Sequence, residues 1–215
     1  MTQKFLQVAQ QAAQSAGQIL LKQYSHFDRH SIKLKSVHEI LTQADLFSER
    51  TIIKIIKRHF PGHSILSEET GGEQHSSPYL WVIDPIDGTT NFSIHNPLWS
   101  VSIALAHKQP GAKNYTIQLG VIFAPALKEL FVAQVNKGAK LNGRPIKVSR
   151  GIKSKAIHTF CHGSSHADIK RALRYLRHQK LNGLDCRQLG SAALELAYVA
   201  SGRVESFVVP GTRPW

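Results

Sequence analysis

Trp81-Val82-Ile83-Asp84-Pro85-Ile86-Asp87-Gly88-Thr89-Thr90-Asn91-Phe92 is the stretch whose reading decides the fold. An apolar run with strand character, Leu80 to Asp84, delivers two carboxylates three residues apart onto a turn stiffened by Pro85. Hard divalent cations such as Mg²⁺ take oxygen ligands and need only one or two protein carboxylates besides water and substrate phosphate. Asp84 and Asp87 are therefore candidate metal ligands. The Ile86 carbonyl can add a further oxygen while its side chain packs in the core. Gly88 permits a tight bend, after which Gly88, Thr89 and Thr90 can open a helix whose free N–H groups face an anion. Metal ions beside a phosphate cradle are the minimum kit for hydrolysing a phosphate ester. Asp-Pro and Asp-Gly are also common turn pairs in their own right, so the surrounding chain has to decide.

Outward from this stretch, Phe5, Leu6, Ala9, Ala12, Ala13, Ala16, Ile19 and Leu20 recur at helical spacing and predict a first amphipathic helix. A second helix follows Asp45, with Ile52, Ile53, Ile55, Ile56 and Phe60 as apolar members and Pro61-Gly62 as its stop. Asp45 reads as the N-cap of that helix, near Leu46. Short strands are expected at Ser64 to Ser67, Leu80 to Asp84 and Val101 to Ala106. Leu119 to Ala124 and Glu129 to Val135 read as a hairpin joined through Pro125. After Ser149 strands and helices alternate, with a helix over Ser191 to Ala200 and a last strand over Val204 to Val209. The order predicts an α+β half on an antiparallel sheet, residues 1–150, and a smaller α/β half, 151–215, within one continuous globular unit.

Composition narrows the function classes. A chain of 215 residues with 42% hydrophobic content can fill a large core. No apolar run reaches the roughly 20 residues of a membrane span, and Met1-Thr2-Gln3-Lys4-Phe5 lacks the start of a secretory signal. Two cysteines, Cys161 and Cys186, read as small buried hydrophobes in a reducing, cytoplasmic compartment. The formal net charge of +13 suits a protein that steers anions such as sugar phosphates, with nucleic acid as a secondary partner. In the densest basic run, Lys170 to Lys180, the residues Ile169, Leu173 and Leu176 recur at helical spacing, which predicts an apolar inner face and a wet cationic outer one. The histidines lack metal-ligand spacing, and no nucleophilic cysteine or Ser-His-Asp set is visible.

The run Asp84 to Phe92 resembles the first signature of the inositol monophosphatase family, the Mg-dependent, lithium-sensitive phosphatases. Four more segments match in order: Thr42-Gln43-Ala44-Asp45, Ser67-Glu68-Glu69-Thr70, Leu141-Asn142-Gly143-Arg144-Pro145-Ile146-Lys147-Val148-Ser149 and Arg187-Gln188-Leu189-Gly190-Ser191-Ala192-Ala193. The likeness implies a layered α-β-α-β-α sugar-phosphatase-like fold and a homodimer. It implies a Mg²⁺-dependent phosphomonoesterase acting on a small polyol or sugar phosphate, inositol 1-phosphate first, by in-line attack of metal-activated water. It adds Glu68 as a catalytic and metal carboxylate, and a role for Asp45 in binding metal or in activating water with Thr89. It also makes Asp87, Gly88, Thr89, Gly190, Ser191 and Ala192 substrate contacts, and leaves Glu69 in a supporting place. The nearest competing activity within the same fold is fructose-1,6-bisphosphatase.

Two departures stand out against the family pattern. Val209 stands where a glutamate that contacts a substrate hydroxyl is expected, and valine accepts no hydrogen bond. The chain ends at Thr212-Arg213-Pro214-Trp215, ahead of the Asp and Ala-Ala-Gly that follow Pro-Trp in the family and complete a second metal site. The expectation is either a fragment of a longer protein or a truncated, catalytically impaired relative that binds RNA or protein through its basic surface.

Overall fold

The computed structural model describes residues 2–28, 33–36, 39–151, 156–163, 165–213 and 215; Met1 and Pro214 lie outside them. Helix α1 spans Thr2–Tyr24 and α2 spans Gln43–His59, with a two-stranded ribbon, β1 (Lys33–Ser36) and β2 (Glu39–Leu41), between them. Strands β3 (Ser64–Ser67), β4 (Gly71–Glu73) and β5 (Tyr79–Asp87) lead into a single helical turn, α3 (Thr89–Ser93). The chain then runs through β6 (Ser100–His107), β7 (Thr116–Ala124), β8 (Glu129–Gln134), β9 (Gly138–Leu141) and β10 (Arg144–Pro145). These strands form an eight-stranded sheet in the order β10-β9-β8-β7-β6-β5-β3-β4, antiparallel throughout except for the parallel pair β3–β5. The remainder is β11 (Ile157–Phe160), α4 (His166–Leu181), β12 (Asp185–Arg187), α5 (Ala192–Ala200) and β13 (Ser206–Val208), with the strands parallel in the order β12-β11-β13.

The layering follows from alternation along the strands. On β7, Leu119 and Val121 enter the core under α1 and α2, while Ala124, from the same strand, joins Phe131 and the α5 residues Leu194 and Ala197. On β11, Phe160 packs with Ala172 of α4 and Cys186 of β12, while its neighbour Thr159 bonds to Glu195 of α5. The order is therefore α1 and α2, the eight-stranded sheet, α5, the three-stranded sheet, and α4: the expected α-β-α-β-α stack.

The α1 stripe of Ala9, Ala12, Ala13 and Ala16 is fully buried, and its small side chains let the helix lie close to α2, β6 and β7. Gly17 continues that stripe: a Cβ there would come within 2.5 Å of the Phe123 ring and 2.7 Å of Pro125. At the other end of α1, Phe5 meets Phe60 and Tyr79 at centroid separations of 5.0 and 5.1 Å, and Trp81 Nε1 donates to His63 Nδ1 at 3.1 Å. This aromatic wall seals the start of β5, whose far end carries the two aspartates.

Three local expectations are corrected. Helix α2 is capped by Thr42, whose hydroxyl accepts from the Ala44 and Asp45 amides, and Asp45 sits at N3, returning a bond to the Thr42 amide. A capping box thus replaces the simple aspartate cap. Strand β5 runs on to Asp87 with a register shift between Asp84 and Asp87, so Pro85 lies in a bulge rather than in a turn. On α4 the buried residues are Ala172 and Gln179; Leu176 of the expected stripe packs against the same cluster as Ala172 and Ile169 is half-buried, whereas Leu173 is 57% exposed among the cations. Ala172 is the residue α4 presents to β11 and β12, packing with Phe160 and Cys186.

Gly17→Val adds a branched side chain where no space exists, and overpacking of that kind costs about 1–3 kcal/mol. A lowered urea midpoint is expected despite valine's higher helix propensity; an unchanged midpoint would show that α1 does not bear on Phe123 as described.

Candidate active site

The C-terminal end of β5 is where the elements converge. Parallel pairing of β3 with β5 continues one residue past Ser67, with the Glu68 amide donating to Ile83 O at 3.2 Å, and this sets Glu68 beside Asp84. The two side chains are hydrogen-bonded to each other. From α2, Asp45 comes in 1% exposed. Its Oδ2 accepts from the Thr42 hydroxyl at 2.6 Å and the Thr42 amide at 2.8 Å, and its Oδ1 accepts from Thr89 Oγ1 at 3.3 Å. Thr89 Oγ1 also lies 3.0 Å from Ile86 O, and Ser48 Oγ donates to Pro85 O at 2.8 Å. Asp45, Glu68, Asp84, Ile86, Asp87 and Thr89 thus cluster at one end of β5.

Asp87 makes a contact that spacing along the chain did not indicate. Its carboxylate accepts from the Ser191 hydroxyl, from the Ala192 amide at 3.0 Å and from the Ala193 amide at 2.8 Å, with the Leu194 amide also directed at it. A carboxylate at a helix N-terminus satisfies otherwise unpaired amides and the positive end of the dipole. The contact draws Ser191 and Ala192 to the cleft but occupies their donors. Gly88 has φ 94°, and a Cβ there would sit 3.0 Å from Leu98 O and 3.1 Å from Gly190 O. Only glycine lets this bend nestle against the Gly190 loop. Asn91 Nδ2 locks the same junction by donating to Leu98 O at 2.6 Å and Leu189 O at 2.7 Å.

Seven of the chain's 14 acidic residues (Asp45, Glu49, Glu68, Glu69, Asp84, Asp87 and Glu195) lie in or against this region. Burial first, and then the charges of Asp87, Glu68 and Asp45, push the Asp84 carboxyl well above the usual carboxylate range. Burial raises Asp87 as well, against the Ser191 hydroxyl and the α5 amides that lower it. Asp45 is pushed up to about 7 by burial, with the Thr42 bonds opposing and the Glu69 and Glu68 charges adding. Asp84 Oδ1 is buried without a hydrogen-bond partner. Among the described residues no three His, Cys, Asp or Glu side chains stand in ligating geometry, and Asp87 is turned onto α5. The donor chemistry nonetheless fits a hard cation: an orphaned carboxylate oxygen, a second carboxylate bonded to it, and a charge deficit that burial makes costly.

Beside the carboxylates lies a cleft of about 510 Å³ lined by Thr90, Asn91, Asn96, Cys161, His162, Gly163 and residues 188–190. Its lining mixes polar and apolar groups and contains no carboxylate. Burial pushes the Cys161 thiol up to about 11, so it is no nucleophile. Two buried glutamates escaped the sequence reading. Glu49 accepts from the Glu69 and Thr70 amides at 3.2 and 3.1 Å, and Glu195 accepts from the Gly190 amide at 3.1 Å. Both leave a signal in the chain: Glu49 follows Asp45 by one helical turn, a like-charge spacing that isolated helices disfavour. Glu195 is the single carboxylate in the otherwise apolar α5.

Burial holds Glu195 at about 7 against an ordinary 4.5. The folded state therefore binds this proton more tightly than the unfolded chain. The associated stability is fully present below about 4.5 and is lost as pH rises to about 7. Glu195→Gln is expected to flatten the fall in Tm over that interval in thermal melts; parallel wild-type and variant slopes would remove Glu195 from the balance.

With this geometry in view, comparison with known proteins is informative. The profile of the inositol monophosphatase family matches residues 1–215. A protein of Pasteurella multocida named Nus factor SuhB is 37% identical over 218 residues, covering 98% of this chain and 78% of that one. The Escherichia coli K12 protein of the same name is 36% identical over 216 residues, with the same coverage. Among solved structures, the inositol monophosphatase of Anabaena superposes with TM-score 0.76 at 38% identity, covering 94% of this chain and 73% of that one. The MJ0109 gene product, an inositol monophosphatase–fructose 1,6-bisphosphatase, superposes at 0.72 with 26% identity, covering 94% and 74%. By sequence and by fold, the chain belongs to the inositol monophosphatase family.

Proposed function

We propose that the protein is a Mg²⁺-dependent phosphomonoesterase acting on a small polyol or sugar phosphate, with inositol 1-phosphate as first candidate and a fructose-1,6-bisphosphatase activity as nearest alternative. The observation that carries this is the collection of carboxylates around Asp84 in a chain whose net charge is +13. A bare acidic cleft repels a phosphate ester, and a phosphate becomes a partner only once cations neutralise the carboxylates. Asp84, Glu68 and the Ile86 carbonyl would hold the metal, and Asp87 would join by turning from α5. When bound, the metal supplies water activation and stabilises the leaving oxygen.

The chain's own groups do the rest. Thr89 Oγ1, held by Asp45 Oδ1 at 3.3 Å, orients the attacking water, and Asp45 receives its proton, a task suited to a carboxyl raised to about 7. The Gly88 and Thr89 amides receive the phosphate at the open start of α3. The neutral cleft beside them takes the alcohol, and Val209 in place of a carboxylate shifts preference among alcohols.

Asp84→Asn removes the carboxylate charge with little change of shape, and loss of several kcal/mol of electrostatic stabilisation lowers turnover roughly 100-fold or more. The variant should also lose most of the Tm rise that Mg²⁺ gives the wild type, a rise larger at pH 8 than at pH 5.5 because protons compete for these raised carboxyls. Retained turnover or an unchanged Mg²⁺ increment would sink the assignment.

A second reading, RNA binding, is supported by α4. Arg171, Arg174, Tyr175 and His178 line a surface concavity there, beside the exposed Leu173, and the named relatives are Nus factors. Mobility shifts at rising salt test it: affinity that falls steeply with salt and drops on Arg174→Ala and Arg177→Ala supports a phosphate-backbone contact. No shift at low salt rejects it.

A further inference from the structure

Glu49 is 0% exposed on α2, in a place where a carboxylate is costly unless its charge is met. Its Oε1 accepts from two consecutive amides, Glu69 N and Thr70 N, while Oε2 is buried without a hydrogen-bond partner. Amide bonds to an ionised acceptor are roughly twice as strong as neutral ones. The turn they grip begins one residue after Glu68. On its other side, Glu68 is held by its own amide to Ile83 O at 3.2 Å. The backbone on both sides of Glu68 is thus pinned, by β5 before it and by Glu49 after it.

We propose that Glu49 is a positioning residue for the metal site: it clamps residues 68–70 so that the Glu68 side chain is directed at Asp84. A glutamate on a turn is otherwise free to swing into solvent, as its long side chain favours. The inference rests on the reading above that Glu68 and Asp84 hold the cation. One turn earlier on the same helix, Asp45 holds Thr89. Helix α2 therefore fixes both flanks of the site with two carboxylates one turn apart, Asp45 on Thr89 and Glu49 on the 69–70 amides. This accounts for an i, i+4 carboxylate pair that helix stability alone disfavours.

The test is Tb³⁺ binding to the full chain, read by luminescence sensitised through Trp81, three residues from Asp84, at a temperature well below each variant's Tm. Glu49→Ala is expected to weaken Tb³⁺ binding about 10–100-fold, the usual effect of removing a group that orients a metal ligand. Glu49→Gln, which keeps an oxygen for the two amides but loses the charge, should fall between Ala and wild type. A merely structural role would lower Tm and leave the Tb³⁺ affinity untouched. Wild-type affinity in either folded variant overturns the inference, and Glu49→Gln decides it if Glu49→Ala does not fold. Absence of Tb³⁺ binding in the wild type would instead overturn the metal reading itself, and this inference with it.

Discussion

Repulsion between carboxylates gathered at the end of β5 is the constraint around which the surrounding structure is arranged. Each of the buried acids is met by a dedicated set of donors. Asp45 is held by the Thr42 capping box, Asp87 by the first turn of α5, Glu49 by the 69–70 amides and Glu195 by the Gly190 amide. Asp84, like Glu49 and Glu195, keeps one buried oxygen without a hydrogen-bond partner, but its other close contact is a carboxyl side chain rather than a backbone amide. Negative charge is thus crowded at the Asp84–Glu68 pair, where two carboxyl side chains bond to each other. A buried polar group left unsatisfied costs on the order of 1–3 kcal/mol, more when charged, so it persists only where a ligand or proton can relieve it.

The same contacts join the two sheets. Asp87 on β5 and Ser191 to Ala193 at the start of α5 are about 100 residues apart in the chain, yet their bonds fix the end of the larger sheet against the helix that separates it from the smaller one. Gly88 and Gly190 let the two backbones approach to a separation at which no Cβ fits. Asn91 ties the junction from a third side through Leu98 and Leu189. The apolar layers give this seam its rigidity: Trp81 and Ile83 under α1 and α2 on one face, Ala124 and Phe131 under α5 on the other.

Charge is distributed in opposition, with carboxylates concentrated in the cleft and cations spread over the outside. On α4, Asp168 is the single acid, and it is engaged by Ser165 and Arg171. A basic exterior raises the local concentration of anions, and an acidic cleft admits them only in company with cations.

Much of this was legible in the chain. Period-3.6 stripes announced α1 and α2, and period-2 alternation announced β6 to β8, because burial of one face imposes those periods whatever lies opposite. The short distance from Asp84 to Asp87 put both carboxylates at one strand end, where the structure has them. The brief edge strands β4 and β10, and the four-residue β9 beside β10, carried no such signal, since strands this short and this exposed offer too little apolar face to reveal them. The α4 stripe misled in part: Ala172 and Leu176 face the β11–β12 layer while Leu173 is exposed. Sequence by itself determined the longer helices and strands and the placing of Asp84 and Asp87 at one strand end, since both are local. Only the tertiary structure decided that Asp87 faces α5, that Glu49 grips the 68–70 turn and that Asp84 meets Glu68 with no backbone donor for its Oδ1, because hydrogen bonds between segments depend on which backbone amides the packed layers bring within reach.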